Sequence, residues 1–224
     1  MRGETVGERG AAGAESAARH GYLLAGGRSE RFGADKRQAE LEGSALAARA
    51  ASVLATAVGA DGRVTAVGPP ERRLAALRLP WLDDAVPEAR RGQARLGPCA
   101  GLLAATRAGG GLVLACDMPL VPATTLQVLA HLADVKRPAA PVVAGRLMPL
   151  SAFWPSDAAP ALEAELVHGR GRVLDAFWAA GGLAVPAAEL GLRGEDAWLF
   201  TSVNTPYDLA ELARQIRARG GLWT

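Results

Sequence analysis

Gly111-Leu112-Val113-Leu114-Ala115-Cys116-Asp117-Met118-Pro119 is a run of apolar residues that stops at a carboxylate. A strand wet on one face alternates polar and apolar side chains, and this one does not. It therefore reads as a strand covered on both faces, the hallmark of a parallel sheet flanked by helices. Working outward, the same punctuation recurs. Upstream, an apolar strand ends at Leu24, a helix capped by Ser44 places Leu46, Ala50, Val53, Leu54 and Ala57 on one face, and Arg63 to Val67 reads as a second strand. Pro70 opens a short helix to Leu77, Pro80 to Leu82 is a brief apolar segment, and Ala100 to Arg107 is a helix of small residues. Downstream, a helix carries Leu126, Leu129, Ala130 and Ala133 on one side. Strand-like Pro141 to Ala144 and Leu150 to Trp154 flank Gly145, helical patterns surround Leu162 and Leu174, and Leu183 to Val185 adds a strand. Pro206 opens a last helix with Leu209, Leu212, Ala213 and Ile216 inward. This alternation predicts an α/β fold with a mostly parallel, doubly wound sheet and helices on both faces.

In such sheets ligands collect beyond the carboxyl ends of the strands, and both chemically loaded segments fall there. Asp117 ends the central strand. The other segment is Leu23-Leu24-Ala25-Gly26-Gly27-Arg28-Ser29-Glu30-Arg31-Phe32-Gly33-Ala34-Asp35-Lys36, a strand that feeds a glycine-rich turn. Such a turn can aim several backbone N–H groups at one anion, and Arg28, Arg31 and Lys36 supply the charge a triphosphate requires. Lysine is otherwise scarce: of 25 Lys and Arg, only Lys36 and Lys136 are lysine. A compact ammonium in the loop is a different tool from a guanidinium fork. Asp117 opposite that cradle suits Mg²⁺ held between protein and phosphate oxygens. Read locally, Asp117 would equally serve as a cap for the helix that starts near Pro122; the glycine loop tips the balance to the metal.

Composition excludes several other classes. With 224 residues, half hydrophobic, the chain can bury a sizeable core, and one domain over 21–224 is expected. Residues 1–20 mix small and charged side chains and read as a flexible N-terminal extension. A formal net charge of +2 without a run of like charges implies no nucleic-acid partner. Cys99 and Cys116 are too few for a disulfide scaffold or zinc site, which suggests reducing cytoplasm. No apolar segment approaches the roughly 20 residues that span a bilayer, so no membrane association is expected.

The loop fits neither of two common phosphate fingerprints. Ala34 and Asp35 separate Gly33 from Lys36 and no hydroxyl residue follows the lysine, which weakens an ATPase or GTPase reading; Gly-x-Gly-x-x-Gly is absent, so a dinucleotide redox cofactor has no foothold. Leu24 to Lys36 instead closely resembles the LAGG-x-S-x-R-[MF]-G-x-D-K signature of molybdenum cofactor guanylyltransferases. Gly97-Pro98-Cys99-Ala100-Gly101 is similar to that family's GP-x-AG segment, Ala115 to Pro119 to its CDMP segment, and Val203-Asn204-Thr205-Pro206-Tyr207-Asp208-Leu209 to its NTP-x-DL. Pro149-Leu150 sits where the family has His-Pro-Leu, with Met148 in place of the His. The resemblance runs in order from about Gly21 to Leu212. It implies a Rossmann-like nucleotidyltransferase fold, Mg²⁺, and transfer of GMP from GTP to the terminal phosphate of molybdopterin cofactor with release of pyrophosphate. The chain is expected to act as a cytoplasmic monomer in transient contact with cofactor-inserting or molybdoenzyme partners.

Direct attack needs little from the protein beyond charge and position. A terminal phosphate has a second pKa of about 6 and is already largely a dianion at neutral pH. That suits a chain whose His20, His131 and His168 all lie outside the motifs. Arg31 and Lys36 are assigned to the triphosphate and Asp117 to Mg²⁺, these three being the catalytic set, with Leu24, Ala25, Gly26 and Gly27 against the nucleotide. The resemblance places a nucleoside-binding carboxylate in the Asp83-Asp84 pair, Asp84 being the choice, with a solvated acidic turn as the plain alternative. It further suggests Gly101 and Asn204 as contacts of the second substrate, although Asn204 would equally cap the last helix. An asparagine that some members carry after the second strand is here Gly68. Arg90, Arg91 and Arg95 make a basic loop, read as solvated or, less simply, as a clamp for the pterin phosphate. The five tryptophans read as packing residues, with Trp154 the best placed to stack on a pterin. A chain using CTP or a sugar phosphate, and a non-catalytic member that only binds nucleotide or cofactor, are the rival readings.

Overall fold

A computed structural model describes residues 20–27, 29–90, 96–132, 136–168 and 171–221. Arg28, Arg91, Arg95, Trp223 and the N-terminal residues 1–19 lie outside them, so the readings made there stand apart from the structure.

Four strands run parallel at the centre. β1 (His20–Leu24) pairs with β4 (Arg63–Gly68) on one side and with β6 (Gly110–Ala115) on the other, and β4 pairs with β5 (Trp81–Asp83). Beyond β6 the antiparallel β9 (Ser151–Pro155) intervenes before β7 (Ala139–Val143) and its parallel neighbour β10 (Leu183–Pro186). β8 (Arg146–Leu147) folds back on β7. The order β10-β7-β9-β6-β1-β4-β5 is mostly parallel, as the uninterrupted apolar runs require.

Side chains leave each central strand to opposite faces, and helices cover both. Leu23, Leu112 and Leu114 pack toward α1 (Leu46–Val58) and α3 (Ala123–Leu132), where Leu54, Leu126 and Leu129 meet them. Tyr22, Leu24 and Val113 pack on the other face against α2 (Pro98–Arg107), α4 (Ala159–Val167) and α5 (Val173–Ala179). Each leucine buried this way contributes about 1.5–3 kcal/mol. A smaller cluster joins α6 (Pro206–Ala218), through Leu212 and Ile216, to Leu41 and Leu46.

Several local expectations change. Ser44 does not cap α1: it pairs with Leu41 in a two-residue hairpin, β2 (Glu40–Leu41) with β3 (Ser44–Ala45), and Ala45 takes the cap position without a side-chain hydrogen bond. The β-hairpin geometry extends the backbone at Ser44 and Ala45, so the helix starts two residues after the serine. The helix expected from Pro70 to Leu77 is two separate 3₁₀ turns, Pro70–Arg72 and Ala75–Leu77. Between them Arg73 is in a non-helical conformation, which interrupts the helical ladder. Trp154 is fully buried, donates its indole N–H to the Pro149 carbonyl at 2.8 Å and packs edge-on to Phe177, so it is a core residue and not a stacking platform.

Candidate active site

The chain passes from β1 to β4 and β5 on one side, then returns to β6 on the other, so a topological switch point lies between β1 and β6. The Leu24 carbonyl accepts from the Cys116 amide at 3.1 Å, which extends this pairing to the strand ends. The crevice beyond those ends is where doubly wound sheets bind ligands. Here it is a cleft of about 1700 Å³, and Leu24, Gly26, Gly27, Lys36 and Asp117 line it.

The loop after β1 returns to the second strand end in a defined path. Ser29 adopts a positive φ of 57° and its hydroxyl accepts the Lys36 amide at 3.1 Å. Asp35 then caps the 3₁₀ turn Lys36–Gln38 by accepting from the Arg37 amide. That turn points the lysine inward. Lys36 Nζ donates to Asp117 Oδ2 at 2.6 Å and to Asn204 Oδ1 at 2.9 Å, with only 8% of the residue exposed. Charge-assisted hydrogen bonds of this length are among the stronger ones. Three motifs separated in sequence thus meet at one ammonium.

Each arm is fixed by its own element. Asp117 leaves the end of β6, and its carbonyl accepts from the Val203 amide at 2.8 Å, tying the β6 end to the segment before α6. Its side chain meets Lys36 and lies well before α3, so it is no helix cap. Asn204 is no cap either. Thr205 caps α6 in a reciprocal box with Asp208, whose carboxylate accepts from the Asn204 and Thr205 amides at 2.8 Å each. Those amides, led by Asn204, hold the Asp208 carboxyl below its ordinary range, with a smaller contribution from the Arg31 charge. Freed from capping, the Asn204 side chain spans Ser202 Oγ and Lys36. Arg31 is exposed on the cleft rim.

The other wall is built by close backbone approach. A β-carbon at Gly68 would stand 2.9 Å from Gly26 Cα and 3.1 Å from the Trp81 ring. The asparagine expected by resemblance after the second strand therefore has no space, and the glycine is a packing requirement. Asp84 lines the cleft, while Asp83 is exposed outside it. A β-carbon at Gly101 would lie 3.1 Å from Leu24 Cδ2 and 3.3 Å from Asp84 Oδ1, so this glycine lets the carboxylate and strand end sit against α2. Burial, reinforced by the charges of Glu71 and Asp83, pushes the Asp84 carboxyl up to about 6. The two cysteines are inert by contrast: burial pushes both thiols up to about 12. Arg90 ends a short 3₁₀ turn with its Nε buried.

Sequence reasoning missed Arg37. It is 3% exposed and donates to both Asp35 oxygens, to the Ala25 carbonyl at 2.8 Å and to the Arg72 carbonyl at 2.6 Å. The available signal was its place directly after Lys36 in a loop that must fold back on itself.

Among the described residues, no three His, Cys, Asp or Glu side chains gather as a metal cage. Asp117 and the Asn204 amide oxygen are hard oxygen donors beside the lysine, and Mg²⁺ is commonly held by one or two carboxylates completed by phosphate oxygens and water. The donor set fits such a shared site. No helix among the described residues is long and apolar enough to cross a membrane.

Comparison with known proteins shows the family and the fold. The family model described as MobA-like NTP transferase domain matches residues 21–180. The molybdenum cofactor guanylyltransferase of Rhizobium leguminosarum is 32% identical over 216 residues, covering 88% of this chain and 93% of that protein. The protein of the same name from Acidiphilium cryptum is 35% identical over 201 residues, covering 84% and 90%. The crystal structure of molybdopterin-guanine dinucleotide biosynthesis protein A from Archaeoglobus fulgidus superposes with a TM-score of 0.70 at 23% identity, covering 89% of this chain and 99% of that one, which is agreement in fold. The chain belongs to the family of MobA-like NTP transferases that includes the molybdenum cofactor guanylyltransferases, and it is a nucleotidyltransferase.

Proposed function

We propose that the chain transfers GMP from GTP to the terminal phosphate of molybdopterin cofactor, giving the guanine dinucleotide cofactor and pyrophosphate. The observation that carries this reading is the convergence of Lys36, Asp117 and Asn204 at the mouth of the glycine loop. The names of the relatives support the substrates.

In this reading the triphosphate lies along the loop with its base toward Asp84. Guanine presents two adjacent N–H donors, and an ionised carboxylate accepts both. Lys36 faces the phosphates as a point charge, with Arg31 at the rim meeting the outermost oxygens. A bond forms between a terminal phosphate oxygen of the pterin and the α-phosphorus while the bond to the β-phosphate bridging oxygen breaks. The charge that develops leaves on pyrophosphate, where Lys36 and Arg31 stabilise it. Mg²⁺, held by Asp117 and phosphate oxygens, would supply charge neutralisation between the two anionic substrates. Holding the reactants in line can supply roughly 7–11 kcal/mol of the barrier, so rigid placement of these side chains is the main contribution. No protein base is required, because the nucleophile is already ionised.

The test is incubation with Mg²⁺, molybdopterin cofactor and each of GTP, CTP and ATP, followed by identification of the dinucleotide. A guanine dinucleotide formed from GTP alone is expected. Product from CTP in preference would replace the guanylyl assignment by a cytidylyl one.

A further inference from the structure

We propose that Arg37 and Arg72 form a brace that positions the glycine loop for phosphate, and that the brace couples this loop to the opposite wall of the nucleotide site. Neither guanidinium lines the cleft. Both instead hold the loop from behind: Arg37 Nη1 donates to the Ala25 carbonyl at 2.8 Å, and Arg72 Nη2 donates to the Gly27 carbonyl at 3.0 Å. In a trans peptide the C=O and the following N–H point in opposite directions. Fixing the Ala25 carbonyl on Arg37 therefore turns the Gly26 N–H away from that arginine and keeps it available to an anion.

The remaining donors tie the brace together. Arg37 grips both oxygens of Asp35, and Arg72 Nη2 lies 3.8 Å from Asp35 Oδ2, so one carboxylate faces both arginines. Hydrogen bonding from Arg37 holds the Asp35 carboxyl down at about 2, which keeps it charged throughout the working range. Arg37 Nη1 also donates to the Arg72 carbonyl at 2.6 Å. Arg72 closes the 3₁₀ turn whose Pro70 and Glu71 line the cleft, so the phosphate loop and this wall share one fastening. A buried guanidinium is costly unless its donors are used, and those of Arg37 go to the Asp35 carboxylate and to the Ala25 and Arg72 carbonyls. A lysine at 37, with three donors on a single nitrogen, could not make the four hydrogen bonds that Arg37 makes from three nitrogens.

The inference rests on assignment of the cleft to a nucleoside triphosphate. Its test compares the full-length protein with Arg72→Ala and Arg72→Lys, measuring equilibrium binding of GTP and of guanosine, and hydrogen exchange at Ala25 to Gly27. Loss of one charge-assisted hydrogen bond predicts GTP affinity about tenfold weaker in Arg72→Ala, with partial recovery in Arg72→Lys. Guanosine affinity should stay within about twofold, and exchange in the loop should quicken. Equal GTP affinity in all three proteins, or an equal loss for guanosine and GTP, overturns the brace. A wild-type protein that binds no nucleotide overturns the assignment of the cleft itself.

Discussion

The Lys36 ammonium lies 2.6 Å from Asp117 Oδ2 and 2.9 Å from Asn204 Oδ1, joining residues 81 and 168 positions apart in the chain. One point charge thus holds together the ends of three segments that the sheet topology brings to one edge.

Removing that charge should be felt in turnover far more than in folding. Lys36→Ala is expected to lower the rate of pyrophosphate release by roughly 10²–10³, the effect of losing one preorganised charge. Lys36→Arg should recover little, since the ammonium is nearly buried and its surroundings are built around a compact charge. Circular dichroism should show the fold retained, because the core clusters do not include this residue. Pyrophosphate release at the wild-type rate from Lys36→Ala would remove the lysine from the mechanism.

A related expectation concerns the metal. Asp117→Asn keeps the shape and a hydrogen-bond acceptor for Lys36 but loses the charge that suits a divalent cation. The Mg²⁺ concentration giving half-maximal activity should rise by about tenfold or more, a loss of at least about 1.4 kcal/mol. A Mg²⁺ titration of pyrophosphate release measures it directly, and an unchanged midpoint would refute the metal role.

Much of this was legible in the chain, for physical reasons that differ by residue. The run from Gly111 to Ala115 shows no alternation because Leu112 and Leu114 face one helical layer while Val113 faces the other. A buried parallel strand leaves that mark in any sequence. Lys36 was visible as a lysine kept in a glycine-rich turn, and Asp117 became so only beside that turn, since alone it reads equally as a helix cap. Asn204 was ambiguous because amides cap helices as readily as they bind ligands, and only the Thr205–Asp208 box settles who caps. Arg37 was missed: its place directly after Lys36 marks it for attention, but no local pattern reveals that its side chain will reach carbonyls at Ala25 and Arg72. Its role depends on where a loop 35 residues away comes to rest. The β2–β3 hairpin was hidden by its shortness, since two-residue strands show no period.

Asp84 gives the proposed site a pH dependence of known sign. Burial first, then the charges of Glu71 and Asp83, raise its carboxyl to about 6 from an ordinary value of 3.8. Ionised, it accepts the guanine N–H donors; protonated, it offers one donor in their place. KM for GTP should therefore climb as pH falls through about 6, and Asp84→Asn should remove that dependence while raising KM at neutral pH. Folding stability moves in the other sense. A folded value above the unfolded one favours the native state below about 3.8, and this contribution fades as pH rises to about 6. Asp84→Asn should accordingly gain stability relative to wild type at pH 8 but not at pH 3.5, which urea denaturation at the two values would measure. A KM that is flat from pH 5 to 8 would separate Asp84 from guanine.

Gly68 tests how the wall is built. Replacing a glycine by alanine often stabilises a chain by limiting its unfolded state. At Gly68 the added β-carbon would press on Gly26, 2.9 Å from its Cα and 3.0 Å from its N, and both atoms are backbone that cannot rotate aside. Overpacking of this kind costs about 1–3 kcal/mol. Because the strain falls on the same loop that faces the phosphates, Gly68→Ala should lower the melting temperature and raise KM for GTP together. Gly68→Asn, which introduces the asparagine that the resemblance suggested after the second strand, should do no better despite its added hydrogen-bonding groups. By contrast, a β-carbon at Gly27 meets nothing within 4 Å, so Gly27→Ala should leave the melting temperature nearly unchanged. Thermal melts of the three variants decide the matter: equal stability for the Gly68 and Gly27 substitutions would show that the loop yields where the packing says it cannot.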